Sequence, residues 1–215
     1  LGDGTTVQRQ TMTAVDLGIG RTAISISAGQ GHTCAILDDA SLKCWGDNSD
    51  GQLGDGTTFD SSTPVDVDLG SEIPISVSVG LKHTCVVLVS ASIKCWGDNS
   101  EGQLGDGSTT DSSVPSSVNL GSSKVIAIST GAYHTCAIIN DPLLKCWGDN
   151  SEGQLGDGTN IGRLTPVTIS LSPNPVAISS GDSHTCSILS DTSLKCWGDN
   201  SEGQLGDGTN TDSNS

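Results

Sequence analysis

One tetrapeptide recurs at nearly even intervals and fixes what this chain can fold into. Leu1-Gly2-Asp3-Gly4 returns as Leu53 to Gly56, Leu104 to Gly107, Leu155 to Gly158 and Leu205 to Gly208. The steps are 52, 51, 51 and 50 residues, so the 215 residues divide into repeats 1–52, 53–103, 104–154 and 155–204, and residues 205–215 open a further one. Units of this length do not bury a hydrophobic face alone; they acquire a core by stacking on their neighbours.

Inside each repeat the apolar residues alternate with period two, which predicts strands and no helix. Val15 and Leu17 align with Val67 and Leu69, with Val118 and Leu120, and with Ile169 and Leu171, predicting a first short strand. A second carries Ile24 and Ile26, Ile75 and Val77, Ile126 and Ile128, Val176 and Ile178, and stops at Gly29, Gly80, Gly131 and Gly181. A third begins with His-Thr-Cys, and a fourth holds Leu or Ile followed by Lys-Cys-Trp-Gly. Pro64, Pro115 and Pro166 lie in Ser- and Thr-rich stretches expected to be turns between units. The expected fold is therefore all-β: four propeller blades of about 51 residues, each a small sheet of four short antiparallel strands.

The string Gly-x-x-His-Thr-Cys, followed by Trp-Gly-Asp-Asn-Ser-x-Gly-Gln-Leu-Gly, occurs four times and covers the whole chain. It resembles the repeat of the regulator of chromosome condensation family, and the resemblance implies a β-propeller, most often one of seven blades. Members of that family carry out nucleotide exchange, chromatin binding, enzyme inhibition and roles at bacterial surfaces, so the resemblance implies a fold more narrowly than a function. This chain departs from the nuclear members in its acidity and in a cysteine pair added to each repeat. Both departures argue against chromatin binding and point to a bacterial-like extracellular variant.

Nine Lys and Arg face 25 Asp and Glu, a formal charge of -16, so nucleic acid and anionic membrane surfaces are not expected partners. The longest apolar run, Cys85 to Val89, is five residues, against the roughly 20 that a membrane helix needs. Leu1 stands where an initiating methionine would, and no basic and apolar leader follows, which predicts a processed product or a piece of a longer chain.

The eight cysteines fall into four pairs, each ten residues apart: Cys34 and Cys44, Cys85 and Cys95, Cys136 and Cys146, Cys186 and Cys196. A hairpin centred on Asp39, Ser90, Asp141 or Asp191 sets each pair directly opposite on adjacent strands, with Cα atoms roughly 4.5 Å apart. Four disulfides are the expected state. Each stabilises by about 2 to 3 kcal/mol in the chain-entropy picture, and together they place the protein outside the cell or at its surface. Two rivals remain at this stage. His32, Cys34 and Cys44 offer zinc or copper three ligands, though the local pattern supplies no fourth. Lys43, Lys94, Lys145 and Lys195 each precede a cysteine and would activate a free thiol.

His32, His83, His134 and His184 invite a catalytic reading, but one histidine at the same place in every unit is better explained by a hydrogen bond inside each repeat. Trp45, Trp96, Trp147 and Trp197 follow the second cysteine and so face the other side of the sheet, where packing between blades is expected ahead of sugar binding. The Asp-Asn-Ser loops hold Asp47 and Asp55, Asp98 and Asp106, Asp149 and Asp157, Asp199 and Asp207, each pair eight apart. These are weak calcium candidates, since Gly, Asp and Asn are also the residues tight turns require. The stretches Thr57–Thr63 and Ser108–Ser113 and the tail Thr209–Ser215 are expected to be solvated linkers, with O-glycans conceivable there. No nucleophile with its own base and orienter stands out, so no enzyme is expected, and no cofactor.

Near-identity of the four repeats favours assembly over a one-sided binding face. The leading expectation is a non-enzymatic extracellular structural protein that associates with copies of itself head to tail, with a filament as the extended outcome. It rests on two uncapped ends and on one more Leu-Gly-Asp-Gly segment than four blades need. The alternative is an extracellular module that binds another protein or a glycan, or inhibits an enzyme, through variable loops on one face.

Overall fold

The protein is described here by a computed structural model covering residues 1–215. Its 15 strands form antiparallel sheets in strict chain order. Blade 1 consists of β1 (Ala23–Ala28), β2 (His32–Leu37), β3 (Leu42–Gly46) and β4 (Ser61–Asp66). Blade 2 consists of β5 (Pro74–Val79), β6 (His83–Leu88), β7 (Ile93–Gly97) and β8 (Ser112–Ser117). Blade 3 follows with β9 (Val125–Thr130), β10 (His134–Ile139), β11 (Leu143–Gly148) and β12 (Arg163–Ile169). Blade 4 has β13 (Pro175–Ser180), β14 (His184–Leu189) and β15 (Leu194–Gly198), and its outermost position holds a single bridge between Gly198 and Ser213. No helix is long and apolar enough to cross a membrane.

The alternating Val and Leu residues that predict a first strand are not strands in three of the four repeats. Val67 and Leu69, and likewise Val118 and Leu120, follow the outer strand as an extended connection, and only Ile169 falls within one, β12. Their alternation arises because the connection runs between two blades and is buried on them. The outer strand itself lies just upstream, in the Ser- and Thr-rich stretches expected to be linkers, and Pro64, Pro115 and Pro166 sit inside it. Its far edge faces water, so it shows no apolar alternation and tolerates a proline, as edge strands do. Each blade thus takes its inner three strands from one repeat and its outer strand from the next.

Blades pack in sequence: β5 lies against β1 and β2, β9 against β5 and β6, and β13 against β9 and β10. Strands of blade 4 make no comparable contact with those of blade 1, so the four blades form an open arc. The core is three slabs between successive blades. In the first, Ile36, Leu42, Leu53, Val67 and Leu69 meet Val77, Val79, Val86, Leu88 and Trp96. Along the axis the inner strands end in glycines that let the blades close up; a Cβ on Gly29 would strike the carbonyl oxygen of Gly80. The hairpins bring Cys34 opposite Cys44, Cys85 opposite Cys95, Cys136 opposite Cys146 and Cys186 opposite Cys196. All four pairs are disulfides, with Cα atoms 4.0 to 4.1 Å apart, and no cysteine is free.

Candidate functional site

The repeated motif residues converge on the joint between one blade and the next. Thr84 of blade 2 donates its hydroxyl hydrogen to the carbonyl oxygen of Gln52 (2.9 Å), which also accepts from the indole Nε1 of Trp96 (2.9 Å). Both lone pairs of that carbonyl are occupied. With its hydrogen committed, the Thr84 hydroxyl can only accept from His32 of blade 1, whose Nε2 lies 2.7 Å away. The arrangement repeats with His83, Thr135, Gln103 and Trp147, and again with His134, Thr185, Gln154 and Trp197. The histidine hydrogen bond therefore crosses between blades and is not internal to a repeat, because the His-Thr-Cys strand presents His and Cys to the following blade while Thr faces the preceding one.

Such a relay fixes the imidazole as the Nε2–H tautomer and leaves Nδ1 of His32, His83 and His134 buried without a partner. A charged ring would carry a second donor there, where none of the three Nδ1 atoms has a hydrogen-bond partner; at His83 the Ala132 backbone favours the charge but is outweighed by burial. Burial holds His32 down at about 4, against the raising pull of Asp47. His83 is lowered to about 3, by burial first and then by neighbouring His134 and His32. His134 is lowered to about 4, again chiefly by burial. A buried imidazole held neutral and bonded at one nitrogen pins two blades together, and the hydroxyl beside it has its hydrogen committed to the Gln52 carbonyl.

Each tryptophan packs on the Leu-Gly-Asp-Gly turn that opens its own repeat, a turn that for Trp96, Trp147 and Trp197 belongs to the preceding blade. A Cβ on Gly54, whose φ is +74°, would sit 2.5 Å from the indole nitrogen of Trp96, so the ring lies on bare backbone. Gly105 and Gly156 serve Trp147 and Trp197 in the same way, and Gly2 serves Trp45. Gly206 has nothing within 4 Å of where its Cβ would be.

The turn is held from within by a buried asparagine. Asn48 Nδ2 donates to Asp55 Oδ1, to the carbonyls of Thr57 and Phe59 and to the Thr57 hydroxyl, while its Oδ1 accepts from the Leu53 amide. Asn99, Asn150 and Asn200 repeat this hub. Asp47 caps Ser49 and binds Gln52, while Asp55 caps Thr57. Asp98, Asp149 and Asp199 hold Gln103, Gln154 and Gln204 as Asp47 holds Gln52, and Asp106, Asp157 and Asp207 cap Ser108, Thr159 and Thr209. The two aspartates of each loop thus face different donors. The carboxylates that do approach one another, within 4.8 Å, are Asp50, Asp98 and Asp111, from two blades, and Lys82 binds Asp50 at 2.8 Å.

The two ends of the arc differ. At the leading face of blade 1, residues of the N-terminal segment cover the sheet: Val15 and Leu17 pack on Ala35, Leu37 and Trp45. At the trailing face of blade 4, Ile188 is 46% and Leu194 64% exposed, whereas their counterparts Ile36, Val87 and Ile138, and Leu42, Ile93 and Leu144, are at most 2% exposed. One end is capped and the other bare, against the expectation of two bare ends.

Four-stranded antiparallel blades stacked around an axis and locked by a His-Thr-carbonyl-Trp relay define a β-propeller built of repeats. The sequence profile of the Regulator of chromosome condensation (RCC1) repeat matches residues 42–87, 95–138 and 146–188, and a second profile of the same repeat matches 23–52, 75–103, 125–154 and 176–204. The chain belongs to the RCC1 repeat family. It is 36% identical over 146 residues to the ultraviolet-B receptor UVR8 of Arabidopsis thaliana, a match spanning 67% of this chain and 33% of the receptor. It is 35% identical over 144 residues to the E3 ubiquitin-protein ligase HERC2 of Mus musculus, spanning 65% of this chain and 3% of the ligase. Thus the matched stretch is a third or less of the length of these relatives. Among solved structures, human WBSCR16 superposes with a TM-score of 0.82 at 23% identity, covering 89% of this chain and 51% of that one. Yeast RCC1 (Prp20), solved bound to Kap60, gives 0.82 at 16% identity and covers 91% and 48%. These likenesses carry the fold.

Proposed function

We propose that this chain is a non-enzymatic, exported propeller protein that acts by docking blades, the trailing face of blade 4 receiving the leading face of a second copy. The observation that carries the reading is the bare trailing face. It presents Ile188, Leu194 and the Cys186–Cys196 bridge in the positions that elsewhere are sealed by the next blade. Its relay is half made: His184 Nε2 and the Gln204 carbonyl stand where a following Thr and Trp would complete the joint, and the turn at Gly206 has room for a ring. The face that matches this chemistry is another blade of the same kind; blade 1 has Thr33 and Trp45 in those positions, but Trp45 is packed on Gly2 and under Val15 and Leu17, so docking requires the N-terminal segment of the incoming copy to move aside. Four disulfides support an oxidising compartment. Sedimentation velocity and electron microscopy at micromolar concentration test the reading. Concentration-dependent head-to-tail oligomers that Leu194→Asp abolishes are expected; monomers at every concentration overturn it.

A second reading, a module that binds another protein, is favoured by one observation. The residue after each axial glycine differs in every blade, Gln30, Leu81, Ala132 and Asp182, and all four line one groove along the axis. Yeast Prp20p was solved with a study of its binding to Gsp1p and histones, so propellers of this shape do bind proteins.

A further inference from the structure

One position breaks the repeat symmetry at the mouth of the joints, beside the Asp-Asn-Ser loops. The residue before each motif histidine is Gly31, Lys82, Tyr133 or Ser183. Its backbone is fixed alike in every blade, because its carbonyl oxygen accepts the amide of Asp47, Asp98, Asp149 or Asp199 at 2.9 Å. Whatever side chain stands there therefore starts from the same frame. In the first joint Lys82 spans the gap to the preceding blade and binds Asp50 at 2.8 Å.

No such bridge closes the second joint. Tyr133 and Glu101 hold the register of Lys82 and Asp50, and with Ser100, Asp149 and Ser151 they line one cleft of about 420 Å³. Its loop side is held still. Asp149 accepts from the Ser151 amide at 2.9 Å, from the Ser151 hydroxyl at 3.1 Å and from Gln154 Nε2 at 2.7 Å, and the Glu101 amide donates to Gln103 Oε1. The Glu101 carboxylate, unlike that of Asp50, joins no ion pair. Tyr133 is the single tyrosine of the chain. By register the third joint repeats the serines and acids as Ser151, Glu152, Asp199 and Ser201, but has Ser183 where the ring stands.

The lining sets two kinds of polar group around one aromatic ring. The hydroxyls of Ser100 and Tyr133 can donate, while the carboxylates of Glu101 and Asp149 only accept. A cation would use the acceptors and leave the donors idle, and an anion would be repelled. A sugar uses every part, since its hydroxyls both donate and accept and its C–H face lies on the electron-rich face of an aromatic ring. We propose that the second joint is a binding site for a neutral saccharide, one pyranose ring lying on Tyr133 with its hydroxyls bonded to Glu101 and Ser100. The two carboxylates and the net charge of -16 select against acidic sugars. This inference goes beyond blade docking and is independent of it, since the mouth and the trailing face are different surfaces.

The test uses the 215-residue chain with cellotriose, mannotriose and chitotriose as probes, and follows the Tyr133 ring protons by NMR, which no other tyrosine overlaps. At least one sugar is expected to shift these signals saturably at millimolar concentration. Binding of that sugar, measured by calorimetry, is expected to weaken tenfold or more in Tyr133→Ser, which copies the third joint, and to persist in Tyr133→Trp. Because the same position accepts glycine, lysine and serine in the other repeats, both variants are expected to melt as the parent chain does. Glu101→Gln is expected to weaken binding several-fold, and Ser183→Tyr to add a second site. No shift with any of the three sugars overturns the proposal, as does equal binding by Tyr133→Ser. A Tyr133 shift with tetramethylammonium and none with the sugars also overturns it, in favour of a cation site.

Discussion

The imidazole Nε2 of His32 and the hydroxyl of Thr84 are 2.7 Å apart, although 52 residues separate them in the chain. One hydrogen bond therefore reports whether two blades are joined, and its partners differ in what they lose when it is broken. Removing the hydroxyl strands a buried donor on the histidine and takes one donor from the Gln52 carbonyl. Thr84→Val and Thr135→Val are each expected to destabilise by about 1–3 kcal/mol in urea unfolding. Thr33→Val, with no histidine before it, is expected to cost less.

Acid should open the joints before it reaches the carboxylates. His32, His83 and His134 titrate near 4, 3 and 4 when folded, against about 6.5 when unfolded. Their neutral forms contribute stability that is complete above pH 6.5 and is lost as pH falls from 6.5 towards 4, because the unfolded chain takes up protons that the folded one refuses. Melting temperatures measured from pH 8 to pH 4 are expected to fall steadily below 6.5. A flat profile between pH 7 and 4.5 would contradict the buried neutral assignment.

Glycine pairs at equivalent positions separate packing from backbone strain. Gly54→Ala puts a methyl carbon against the indole of Trp96 at a φ of +74°, whereas Gly206→Ala at +71° meets nothing. Both carry the left-handed penalty of about 1 kcal/mol; only the first adds overpacking, typically 1–3 kcal/mol. The difference between the two variants in chemical denaturation is the measurable quantity.

Reduction should begin at one end of the arc. Cys186 and Cys196 are half-buried, while the other six cysteines are fully buried. Graded dithiothreitol treatment followed by alkylation and peptide mapping is expected to label Cys186 and Cys196 first. Simultaneous labelling of all four pairs would mean that reduction waits on global unfolding.

The repeat register, the all-strand character and the cysteine pairing were legible in the sequence because each follows from spacing alone. What spacing could not show is which side of a boundary a residue serves. Val67 and Leu69 alternate like a strand although they are a connection squeezed between blades, and Ser61 to Asp66 form a strand without alternating, since water lies along their outer edge. The sequence points each histidine to a bond within its own repeat, because one repeat read alone cannot contain its partner. Thr84 and the Gln52 carbonyl are hidden for the same reason, and the unvarying Thr in His-Thr-Cys and Gln in Gly-Gln-Leu-Gly are the sequence signal for them. Lys82 and Ser183, by contrast, differ between repeats, and repeat averaging discards such differences.

Pro64, Pro115 and Pro166 bear on the behaviour of concentrated solutions. A proline in the outermost strand of each complete blade removes an amide that a foreign strand would need, so lateral recruitment into amyloid-like ribbons is obstructed along the whole convex rim. A chain so rich in exposed β-structure is expected to stay dispersed at concentrations where unprotected sheets would gel. Blade docking as proposed above would then add copies at the ends of the arc and leave this rim unpaired.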